Sequence, residues 1–114
     1  MKATVKRAWL KALRSGKYKQ TKGILRSKTG GFCCLGVLCD IRDKQLKRTQ
    51  WTASYSCFSY GKRYNDGTLP VSVQKWAGLK SADPIVTKDE KSLADLNDSG
   101  RSFKHIANVI ARQL

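Results

Sequence analysis

The chain has 114 residues, and its 23 Lys and Arg against 8 Asp and Glu give a formal net charge of +15. That length holds one compact domain and argues against a second, while three Trp, four Tyr and three Phe in a 40% hydrophobic composition argue against a wholly disordered basic tail. No apolar run approaches the roughly 20 residues that span a bilayer, and Lys and Arg interrupt the N-terminal apolar positions, unlike a secretory leader. The expectation is one soluble, unsecreted domain over residues 1–114, making no membrane contact.

Thr4 is a candidate cap for a first helix in which Val5, Ala8, Trp9, Ala12 and Leu13 recur at three- and four-residue intervals, with Gly16 as its stop. At about 100° per residue, Arg7, Lys11 and Arg14 fall on one arc opposite Trp9. One face packs and the other is a basic stripe. This helix and the connector after it, residues 1–28, carry ten Lys and Arg and no acid. Scattered lysines commonly serve solubility alone. An acid-free quarter of the chain instead suits a polyanion, nucleic acid or a ribonucleoprotein, with contacts from Lys6, Arg7, Lys11 and Arg14 on the helix and from Lys17, Lys19, Lys22, Arg26 and Lys28 beyond it.

A short strand around Ile24 and Leu25 and a turn at Gly30 and Gly31 come next. The segment FCCLGVLCDI is apolar at nearly every position, so it is buried on all sides. With RDKQLKR after it, it extends better as a helix than as a strand, although Val37, Ile41 and the cysteines also suit a buried strand. Gly36 inside it marks a close backbone approach by a neighbour. Residues 51–64 read as an antiparallel hairpin or small ordered loop, with Asn65, Asp66 and Gly67 as a turn. Pro70 opens and Gly78 closes a short helix that buries Val73, Trp76 and Ala77. Thr87 or Asp89 starts another through Leu93 and Leu96, and Ser102 caps a last one whose apolar face is Phe103, Ile106, Ala107, Ile110 and Leu114. The fold class is α+β and mainly helical, with about four to five helices and one short β-hairpin.

Groups able to run chemistry are few. Cys33, Cys34, Cys39 and Cys57 offer no paired knuckle of the kind zinc uses, and three of them sit in the most apolar segment, so buried thiols are expected, with no metal and no cofactor. His105 is the only histidine and belongs on the polar face of the last helix, away from a cysteine nucleophile. Asp40 with Asp43, and Asp95 with Asp98, suit capping or pairing with Lys better than catalysis. The expectation is a non-enzymatic protein. LADLNDSGRSFKHIANVI has the helix, Gly-containing turn and second helix that open a helix-turn-helix unit, but no recognition helix follows before Leu114, so it reads as an αα-hairpin sealing the core.

Together, WLKALRSGKYKQTKGIL, FCCLGVLCD, LPVSVQKWAGL and LADLNDSGRSFKHIANVI resemble a family of small uncharacterised proteins of tailed bacteriophages and prophages. The resemblance implies an accessory protein acting in the cytoplasm of an infected bacterial host. It carries no catalytic residue or cofactor onto these positions. The leading expectation is binding of DNA or structured RNA through the basic N-terminal face without sequence readout. The alternative is an interaction factor that inhibits or redirects an acidic host protein, using Trp51, Tyr55, Tyr60 and Tyr64 as anchors beside Lys62 and Arg63.

Overall fold

The computed structural model describes residues 1–61 and 66–114. Its centre is the apolar segment, which forms helix α2 (Cys34–Leu46), preceded by α1 (Ala3–Arg14) and by three short strands, β1 (Lys19–Gln20), β2 (Arg26–Ser27) and β3 (Gly31–Phe32). A hairpin of β4 (Trp51–Ala53) and β5 (Cys57–Tyr60) follows, and then α3 (Val71–Ala77), α4 (Leu93–Asp98) and α5 (Phe103–Gln113). The strands make one sheet in the order β1-β3-β2-β5-β4, parallel between β1 and β3 and antiparallel elsewhere.

Every residue of α2 from Cys34 to Cys39 is buried. It reaches that position because Gly36 lies directly beneath the Leu25 carbonyl: a Cβ there would stand 1.9 Å from the Leu25 oxygen. The same oxygen accepts from the Cys33 N–H at 3.1 Å, so the loop before β2 closes over the start of the helix. Trp9 of α1, wholly buried, donates its indole N–H to the Cys34 carbonyl at 2.9 Å. From α4, Asn97 accepts from the Cys34 N–H at 3.2 Å. α5 packs on α1 and buries Phe103, Ile106, Ala107 and Ile110 of the expected face, with Val109 also buried and Leu114 only half-buried.

The structure corrects several expectations. The single hairpin becomes the edge of a five-stranded sheet, because three two-residue strands join it, each too short to show an alternating pattern. The strand expected at Ile24 and Leu25 lies at Arg26 and Ser27, leaving Leu25 to enter the core. The hairpin turns at residues 54–56, where Ser54 N–H donates to the Cys57 carbonyl at 2.8 Å, and the expected turn residue Asn65 lies outside the described residues. Thr4 is inside α1, whose N-cap is Lys2. Ser92, not Thr87 or Asp89, caps α4, forming a reciprocal box with Asp95. Trp76 is half-buried on α3. Pro70, Gly78 and Ser102 bound their helices as expected, Gly78 in the left-handed region at φ 73.

Propensity alone favours Gly36→Ala by about 1 kcal/mol in a helix interior, yet the approach to Leu25 makes it an overpacking change. We expect Gly36→Ala to destabilise the protein by about 3 kcal/mol, read as a lowered urea midpoint. An unchanged or raised midpoint would show that the loop yields without cost.

Candidate nucleic-acid interface

α1 carries its basic stripe on the side away from Trp9, with Arg7, Lys11 and Arg14 all exposed. Arg14 donates to the Asn108 side-chain oxygen on α5 at 3.0 Å, which brings the exposed stripes of the two helices side by side. Lys104 and Arg112 stand one turn before and one turn after Asn108, both exposed. The basic face therefore spans two helices, and the contacts expected from residues 1–28 cover only its first half. The signal for the second half was the four-residue spacing of Lys104, Asn108 and Arg112. Lys6 is half-buried and donates to the Ala111 carbonyl at 3.1 Å, where it serves the last turn of α5. Lys17, Lys19 and Lys22 are exposed along the connector and β1, and Lys22 lies beside Gly100 in the α4–α5 turn.

Arg26 lies on β2 and Lys28 in the turn that follows it. The Arg26 guanidinium stands 4.3 Å from the ring centre of Phe58, 5.2 Å from that of Phe32 and 5.5 Å from that of Trp51. The Lys28 ammonium is 5.5 Å from the ring centre of Phe58. α2 lays both acids of its second half against the aromatic groups of this region. Asp40 accepts from the Tyr18 hydroxyl at 2.6 Å and the Trp51 indole at 3.3 Å. Asp43, itself buried, accepts from the Tyr60 hydroxyl at 2.6 Å and the Gln50 N–H at 2.9 Å. Burial, then the bond to the carboxylate, raises the pKa of each tyrosine.

Four more acids are spent in the same way. Asp83 accepts from the Ala94 N–H, Asp89 from the Thr87 hydroxyl, Asp95 from the Ser92 N–H, and Asp98 from the Gly23 N–H and the Asn97 amide. Among the described residues the one ion pair is Lys44 with Asp40, at 3.4 Å. The carboxylates hold neutral donors, and the cations of the α1–α5 face are left without counter-charge.

The residues expected to anchor a protein partner separate. Tyr55 is fully exposed at the hairpin tip, while Tyr60 is wholly buried and tied to Asp43, which removes it from any solvent-facing surface. Trp51 is half-buried against Tyr60 and Phe32. Lys62, Arg63 and Tyr64 lie outside the described residues. A cleft of about 410 Å³ on the α4 side is lined by His105, Arg101, Lys91, Asp89 and Asp95 among others, with no cysteine. All four cysteines are free and buried. Among the described residues no group of three or more His, Cys, Asp or Glu is placed to hold a metal ion, and no helix is long and apolar enough to cross a membrane.

Fold and surface define a small α+β domain with a mixed sheet and a basic face built from two packed helices. The chain belongs to the family described as domain of unknown function (DUF8296), whose family model matches residues 1–114. Neither a curated protein nor a solved structure matches the chain.

Burial pushes the Cys33 thiol up from 9.0 to about 11 against the N–H groups of Gly36 and Leu35 that favour its thiolate. Cys34 and Cys39 also rise, through burial first. The folded state thus holds these protons more tightly than the unfolded chain. The stability that Cys33 contributes is complete below pH 9.0 and is lost as the pH rises through about 11. In Cys33→Ala the alkaline fall in Tm over that interval should be shallower than in the parent. An identical fall would place the titration elsewhere. Iodoacetamide at neutral pH should alkylate the native thiols only after denaturant is added.

Proposed function

We propose that this protein is a non-enzymatic accessory factor that binds nucleic acid, DNA or structured RNA, through phosphate contacts without reading sequence. Its setting on this reading is the cytoplasm of a phage-infected bacterium, as the resemblance of its four sequence blocks implies. The observation that carries the reading is the use of the carboxylates. With six of them occupied by neutral donors and one ion pair among the described residues, Arg7, Lys11, Arg14, Lys104 and Arg112 present one uncompensated sign across two rigid helices. Long cationic side chains on helices suit the phosphate spacing of a polyanion, and releasing its condensed counterions drives the association. Docking on an acidic host protein, the competing reading, retains Tyr55 as its exposed aromatic anchor among the described residues.

The test is a salt titration of binding to a duplex of random sequence. The logarithm of affinity should fall linearly with the logarithm of salt, with a slope of about −0.9 for each phosphate neutralised. Reversing Arg7, Lys11 and Arg14 to Glu should weaken binding by at least about tenfold and flatten that slope, with the Tm nearly unchanged. Lys104→Glu with Arg112→Glu should act in the same direction, which distinguishes a two-helix face from α1 alone. Absence of binding at low ionic strength, or affinity indifferent to salt, overturns the reading. A single stoichiometric protein retained from nuclease-treated host lysate would favour the competing one.

A further inference from the structure

The helical face would hold a duplex or a single strand alike, but one corner of the sheet has a different chemistry. The Arg26 side chain is half-buried among Phe58, Phe32 and Trp51 and makes no hydrogen bond or ion pair among the described residues. Its Nε is buried without a partner. A guanidinium fixed by rings and lacking a carboxylate has an unused, oriented set of donors that fits a phosphate. Lys28, in the turn after β2, also stands over Phe58, its ammonium 5.5 Å from the ring centre. The register pairs Arg26 with Phe58 and Ser27 with Cys57. The ladder ends there, and the turn at 54–56 that carries Tyr55 begins beside Cys57, at the same end of the sheet as the turn that carries Lys28. That tyrosine is 103% exposed, so its ring has no protein neighbour to stack on.

We propose that this corner binds an unpaired nucleotide, its base stacked on Tyr55 and its phosphate held by Arg26 and Lys28, so that the protein prefers single-stranded nucleic acid to duplex. The inference rests on the polyanion reading above and adds the form of the ligand. In a duplex the bases cover one another and offer a tyrosine ring nothing, whereas every unpaired base has a free face. DNA and RNA share that chemistry.

The experiment is fluorescence anisotropy with the full chain and labelled strands of about 15 nucleotides. The probes are a single-stranded DNA, the RNA of the same sequence, the DNA annealed to its complement, and the DNA made abasic. The wild type should bind the intact single strands more tightly than the duplex at matched salt. Tyr55→Ala and the abasic strand should each lose about tenfold, with duplex affinity unchanged in Tyr55→Ala. Arg26→Lys keeps the charge and removes the fork, and should weaken the single strands more than the duplex. Preference for the DNA or the RNA strand names the source and supports the proposal. Equal affinity for single strand and duplex, or an unaltered single-strand affinity in Tyr55→Ala, overturns it and leaves the polyanion reading standing. Loss of binding in every arm at low salt overturns the polyanion reading itself.

Discussion

The approach of the Leu25 carbonyl to Gly36 sets the geometry that the rest of the molecule follows. A helix enclosed on every side can be packed by α1, α4 and the sheet at once only if one of its positions carries no side chain, and Gly36 is that position. The enclosing segment also has to end its own hydrogen bonding there, which it does by accepting from Cys33. Small, soft cysteine side chains at Cys33, Cys34 and Cys39 fill the remaining space without polar groups that need partners. Because the first half of α2 fills the centre of the core, α1 and α5 pack around it with one apolar stripe each and turn their charged residues outward onto a shared surface.

The same enclosure decides where the carboxylates go. Asn97, wholly buried, links three elements: its oxygen accepts from Gln20 and from the Cys34 N–H, and its amide donates to the Thr21 carbonyl and to Asp98. Asp98 in turn receives the Gly23 N–H, and Asp95 closes the N-terminus of α4. An exposed ion pair contributes about 0–1 kcal/mol, whereas leaving a buried donor unpaired costs about 1–3 kcal/mol. At Asp40 and Asp43 the fold therefore gains more by satisfying the enclosed Tyr18, Tyr60, Trp51 and Gln50 donors than by neutralising an exposed lysine. These bonds leave the +15 charge of the chain unaltered, and among the described residues they leave one lysine, Lys44, paired with a carboxylate.

Much of the helical architecture was legible because its signals are local. Trp9 and Leu13, or Ile106 and Ile110, repeat at helical spacing, and Ser102 and Gly78 are cap residues at the ends of those repeats. Gly36 was legible for the opposite reason, as a costly residue in an apolar helix that requires an explanation. The cap of α4 was missed because Thr87, Asp89 and Ser92 are all acceptable caps, and the partner Asp95 three residues on decides between them. Strands of two residues exist only through their neighbours in space and leave no trace in spacing. Tyr60 and Tyr55 looked alike in composition. In β5 both faces are largely covered, Cys57 and Ser59 on one and Tyr60 on the other, so no alternation separated the enclosed tyrosine from the one at the turn. On the candidate interface the cations of α1 and the outward positions of Lys104 and Arg112 on α5 were legible from helical spacing, whereas the side-by-side packing of α1 and α5 that joins them is a long-range contact with no local signal.

The two cationic surfaces differ in how much freedom binding would take from them. Arg7, Lys11, Lys104 and Arg112 are exposed on flexible stems, so fixing any one of them on a phosphate costs up to about 2 kcal/mol of side-chain entropy. Such contacts suit a diffuse and register-free attraction. Arg26 has already given up that freedom, since three rings hold its guanidinium in one place. An anion meeting it loses less to ordering and must arrive in a definite orientation. On the proposed reading the helices supply long-range attraction and the sheet supplies discrimination. This division follows from chain order: the basic run begins on a solvent-facing helix and ends on a strand beside the aromatic hairpin, so one stretch of sequence furnishes both kinds of contact.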